Sequence, residues 1–105
     1  TGNLEIIDSA ITQLNHDGGA VDVSKAISEL VNAIGASNEL SSEKRNEAIE
    51  ILSVIASEAT APKDKRRGAV IKPLLNSLGT LIQSTASLIQ IWQSLGPVIA
   101  AFFAS

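Results

Sequence analysis

Apolar residues recur three and four positions apart along most of this chain, the interval at which a helix turns one stripe toward a core. Between Leu4 and Asn15 they fall at Ile7, Ala10, Ile11 and Leu14. Asp17-Gly18-Gly19 supplies a stop, with glycine available for a left-handed cap. A hairpin at Asp17-Gly18 fits less well, because neither flank alternates. Val23, Ala26, Ile27, Leu30, Val31 and Ile34 predict a second helix, with Asp22 as its N-cap and Gly35 as its end. Ser41 or Ser42 caps a third, whose stripe is Ala48, Ile49, Leu52, Ile55, Ala56 and Ala59. Its other faces are charged, and Thr60-Ala61-Pro62 ends it.

Beyond the basic stretch Lys63 to Arg67, the pattern predicts a long fourth helix over about 72–95 and a short apolar fifth over about 97–104. Pro73 suits a helix start, and Gly96-Pro97 should break or bend the chain between the two. There is no internal repeat and no strand pattern. The expected fold class is all-α, a four- to five-helix bundle with a nearly uncharged C-terminal helix, in one domain spanning residues 3–105.

The fourth helix carries the most informative pattern. Leu74, Leu78, Leu81, Ile82, Ile89 and Trp92 share one apolar stripe, with Leu78, Ile82, Ile89 and Trp92 as core anchors. Opposite them run Asn76, Thr80, Gln83, Ser87, Gln90 and Ser94, polar but without a charge. Solvated helix faces ordinarily carry Lys and Glu. Neutral amides and hydroxyls are cheaper to desolvate, because hydrogen bonds across a contact satisfy them. The stripe is therefore expected to be covered, by the other helices of the bundle, by another chain or domain, or in a membrane. Asn76, Thr80, Gln83, Ser87, Gln90, Trp92, Phe102 and Phe103 are the interface candidates. The tail Val98-Ile99-Ala100-Ala101-Phe102-Phe103 either folds back as a last core layer or docks on a partner or membrane.

Composition sharpens this picture. At 105 residues the chain builds one modest core, and with 3% aromatics that core is aliphatic. Residues 38–68 hold twelve charged side chains, whereas 69–105 hold Lys72 alone. A net charge of −3 favours solubility and argues against nucleic acid as a partner. With no cysteine, disulfides and thiolate metal sites are excluded. The chain lacks Met and begins Thr1-Gly2, which suggests a fragment or processed chain with a possible cloning remnant at 1–2.

No catalytic or cofactor pattern emerges. His16 is the single histidine, beside a turn, and the segment Asn15 to Asp22 does not match calcium-loop spacing. The serines lack a neighbouring base and a glycine elbow, and Gly18-Gly19 is not followed by a phosphate-loop lysine. Lys63, Lys65, Arg66 and Arg67 are anion-contact candidates for a phosphate or lipid head group, or else a solvated link. A membrane span needs about 20 mainly apolar residues. The stretch 74–95 has the length but is interrupted by many Ser, Thr, Asn and Gln. Gly96, Ala100 and Ala104 fall four apart, as small residues do at membrane helix contacts.

The run Ser42-Glu43-Lys44-Arg45-Asn46-Glu47-Ala48, the link Ala61-Pro62-Lys63-Asp64-Lys65-Arg66 and the ending Trp92-Gln93-Ser94-Leu95-Gly96-Pro97-Val98-Ile99-Ala100-Ala101-Phe102-Phe103 are similar to helical C-terminal tails of uncharacterised bacterial proteins of the conflict and defence type. The resemblance covers about residues 40–103 and carries no site motif. It implies a bacterial, cytoplasmic parent with a separate effector domain upstream. The sequence thus points to a non-catalytic, cofactor-free helical module for protein–protein interaction or oligomerisation. The alternative is a membrane-active, pore-forming or toxin-like domain that inserts its C-terminal hairpin.

Overall fold

A computed structural model describes residues 2–16, 21–61, 68–83 and 85–104. Five helices account for nearly all of them: α1 Gly2–His16, α2 Val21–Ala36, α3 Ser42–Ala59, α4 Gly68–Ile82 and α5 Ala86–Ala104. The all-α class is as the periodicity requires, and among the described residues there is no strand.

Helices α1, α2 and α3 each pack on the other two, α4 packs on α3, and α5 packs on α2. α4 and α5 pack on each other as an antiparallel hairpin. The radius of gyration, 12.7 Å, matches the ~13 Å of a compact chain of ~100 residues. The core is aliphatic throughout. Ile7 and Leu14, Ile27, Leu30 and Ile34, Leu52 and Ile55, Ile71, Leu78 and Ile82, and Leu88 and Ile99 are its fully buried large side chains. Each such burial contributes roughly 1.5–3 kcal/mol.

The boundaries of the first three helices differ slightly from those expected. Ser41 is the N-cap of α3, in extended backbone, its Oγ accepting from the Lys44 amide at 3.2 Å. Asp22 is not a cap; it lies in the first turn of α2, where its charge suits the helix dipole. Gly35 lies within the last turn of α2, which runs on to Ala36. Asp17–Gly19 and Pro62–Arg67 lie outside the described residues.

The larger difference is in the second half. The helix expected over 72–95 is two helices, the first ending at Ile82 and the second beginning at Ala86, and the one expected over 97–104 is the end of α5. Thr85 makes the break. It is buried, its Oγ1 donates to the Ile82 carbonyl at 3.2 Å, and its own carbonyl accepts the Ile89 amide at 3.3 Å. A short hydroxyl side chain that bonds nearby backbone competes with helix continuation.

Gly96-Pro97, expected to break the chain, lies inside α5. A residue before proline avoids helix largely because its Cβ and N–H meet the ring, and Gly96 has no Cβ. Pro97 is exposed, so its missing N–H, which cannot bond the Gln93 carbonyl, is lost on the solvent side of the helix. Buried Leu88 and Ile99 hold the helix on either side. Pro73 is the sixth residue of α4, one turn deeper than a helix start.

The tail is part of α5. Phe102 and Phe103 are half-buried against the core, their rings edge to face with centroids 5.3 Å apart. The fold therefore favours the folded-back tail.

A neutral groove between α4 and α5

The break at Thr85 redistributes the uncharged polar stripe over two helices. Asn76 and Thr80 lie along α4, with Gln83 just past its end, and Ser87, Gln90 and Ser94 lie along α5. All six are exposed. Coverage by the remaining helices of the bundle, the first of the expectations for this stripe, is thus corrected. The reason is topological: α4 and α5 turn their aliphatic stripes onto α3, α2 and each other, which leaves the polar side of the hairpin facing outward.

Between the two helices runs an open groove of about 710 Å³. Asn76 and Thr80 of α4 and Gln83 just after it rim one side, while Gln93, Pro97 and Ala100 rim it from α5. Its floor holds the half-buried indole of Trp92, with Gly79 and Gly96 beside it. A β-carbon on Gly79 would stand 3.0 Å from the indole Nε1, and one on Gly96 would stand 3.1 Å from Cε2. Bare backbone at both positions is what allows the ring to lie between the helices.

Of the interface candidates, Asn76, Thr80, Gln83 and Trp92 meet at this groove. The Thr80 hydroxyl donates to the Asn76 carbonyl of its own helix at 3.0 Å, so its donor is already used. Ser87 turns to the other flank of α5, where its hydroxyl donates to the Glu39 carboxylate at 2.7 Å. Gln90 lies on the open face of α5. Phe102 and Phe103 pack on the core at the far end. The anion-contact candidates Lys63, Lys65, Arg66 and Arg67 lie outside the described residues. Gln93, Pro97 and Ala100 were not among the candidates. Their signal is helical spacing from Gln90, legible once α5 is seen to begin at Ala86.

Glu39 belongs to a short connection that is itself well fastened. The Ser37 hydroxyl accepts the Glu39 amide at 3.3 Å, and Arg45 Nη2 donates to the Ser37 carbonyl at 2.7 Å. The α2–α3 loop is thereby tied to α3 through Arg45 and to α5 through Glu39.

The outward arc of α5 comprises Ala86, Ser87, Gln90, Gln93, Ser94, Pro97, Ala100 and Ala101, all exposed and none charged. Over Ala86–Phe103 the mean hydropathy is 1.4, yet 17% of that stretch is buried within the molecule. Its large apolar side chains are nevertheless buried or half-buried, and what it exposes is small or polar. His16 is exposed at the end of α1, and no three His, Asp or Glu side chains gather as metal ligands among the described residues. No protein-family model, curated protein or solved structure matches this chain.

Proposed function

We propose that this chain is a non-catalytic helical module for protein–protein interaction or oligomerisation, and that it docks through the outward side of the α4–α5 hairpin. One observation carries the reading: α5 turns outward a face of neutral amides, hydroxyls and small residues without a charge, while its large apolar side chains are buried or half-buried. Charged residues are depleted at the centres of protein interfaces, because desolvating an unpaired charge is costly. Here the last charge in sequence is Lys72, and the hairpin beyond it has none.

Light scattering across a concentration series, together with capture of binding proteins on the immobilised chain, tests the reading. Association is expected, and Ala100→Glu on the groove rim should abolish it while leaving helix content unchanged. A chain that stays monomeric and retains no protein would remove the proposal.

A membrane-active role is the second reading, favoured by the length and hydropathy of α5. A helix of 19 residues extends about 28 Å, close to the ~30 Å of a bilayer's hydrocarbon core. Against it, the arc that α5 turns outward is amide- and hydroxyl-bearing, so insertion would require the hairpin to leave the bundle and expose its aliphatic side. Vesicle flotation and dye release distinguish the two readings. Absence of both disposes of the membrane role.

A further inference from the structure

We infer that the groove between α3 and α4 is a second contact surface, and that its occupant is a basic amphipathic segment of another protein. This surface lies apart from the outward side of the α4–α5 hairpin and does not depend on it.

Glu43, Glu47, Glu50 and Val54 recur four, three and four positions apart on α3, so they form one stripe, and all four are exposed. Val54 is 39% exposed and stands with Leu4 and Ile6 as the open large apolar residues among those described. Beside it, Ile51 of α3 and Leu74 of α4 are half-buried. The three line a groove of about 310 Å³ that Glu47, Glu50 and Ser77 complete. The result is a slot with room for an aliphatic side chain and carboxylates along its α3 edge.

A single exposed apolar residue is ordinary on a protein surface. The carboxylates distinguish this one. Like charges three and four apart on a helix repel, and a solvated face commonly interleaves cations with them. Here Arg45 turns its Nη2 onto the Ser37 and Leu40 carbonyls, at 2.7 and 3.5 Å. Among the described residues, no ion pair reaches Glu43, Glu47 or Glu50. The cleft beside Ile6, between α1 and α3, has Glu5 as its one carboxylate, and Leu4 lies on the other flank of α1.

Charge therefore selects the occupant. A helix with Lys or Arg at the same spacing sets a cation against each carboxylate, while its apolar stripe reaches Ile51, Val54 and Leu74. An acidic segment adds to the repulsion, and a neutral one leaves it in place.

Fluorescence anisotropy of a labelled leucine–lysine amphipathic peptide, about four helical turns long, tests the inference, with a leucine–glutamate twin beside it. The wild type is expected to bind the lysine peptide and not the twin, less tightly as salt rises. Glu47→Gln combined with Glu50→Gln should raise the dissociation constant about tenfold or more, and Val54→Ser should raise it several-fold. Glu5→Gln combined with Asp8→Gln removes the same charge from α1 and should change it by less than about twofold. All five positions are exposed, so the circular dichroism spectrum should not change. Absence of binding, or equal binding of the twin, overturns the inference. Equal losses from the two charge pairs also overturn it, because binding then follows net charge alone. If Ala100→Glu removes the binding, the peptide lies on the hairpin, and the inference fails while the interaction reading stands. Self-association that Glu47→Lys abolishes would make the occupant a second copy and overturn the inference too.

Discussion

The indole nitrogen of Trp92 lies 3.0 Å from the point where a β-carbon on Gly79 would stand. That distance is tighter than ordinary contact, and the same ring borders Gly96, which limits how far it can withdraw. Alanine in a helix interior ordinarily gains about 1 kcal/mol over glycine. At Gly79 the gain meets an overpacking cost of about 1–3 kcal/mol. Gly79→Ala is expected to lower unfolding stability by about 1 kcal/mol. Gly35→Ala, in α2 with nothing within 4 Å, is expected to raise it by about 0.5–1 kcal/mol. Urea unfolding followed by circular dichroism gives both values, and equal signs for the two would contradict the close helix approach at Trp92.

Thr85 joins the end of α4 to the start of α5. Thr85→Val keeps the buried volume but removes the bond to the Ile82 carbonyl, at an expected cost of about 1 kcal/mol. If the turn depends on that hydroxyl, amide exchange at Gln83 and Ile89 should quicken more than in α1. Uniform change would assign the loss to general packing instead.

Ser41 is exposed, so its contribution is the cap alone. Ser41→Ala is expected to cost about 1 kcal/mol, and Ser41→Asp to retain most of the stability, since both Ser and Asp accept from the first-turn amides. Thermal unfolding of the three proteins checks the order.

Arg45 anchors the loop between α2 and α3 through the Ser37 carbonyl. Its Nε is buried without a hydrogen-bond partner among the described residues, which offsets part of the gain. Arg45→Met should cost about 1–2 kcal/mol, below the upper range for a bond from a charged donor. The Glu39 amide should exchange faster, and a variant with unchanged exchange there would rule out the anchoring role.

The first three helices were legible from their stripes, down to the serine that caps α3. The division of the second half was not. Glycine and proline are the usual marks of a helix end, and the chain carries both at residues 96 and 97. Yet the helix continues through them, because Gly96 relieves the clash that proline imposes and Leu88 and Ile99 are buried on either side. The true break falls at Thr85, where neither mark occurs and a hydroxyl bond closes the turn. The neutral stripe was legible as a face but not its surroundings, since periodicity tells which residues lie together and not what lies opposite. Likewise the pairing of Ser87 with Glu39 joins positions far apart in the chain, beyond the reach of spacing.

The chain has one tryptophan and no tyrosine, and that tryptophan sits at the crossing of α4 and α5. Its intrinsic emission therefore reports on a single joint. A red shift that precedes the loss of far-ultraviolet ellipticity would mean the two last helices part before the remainder melts. Coincident transitions would mean all five let go together.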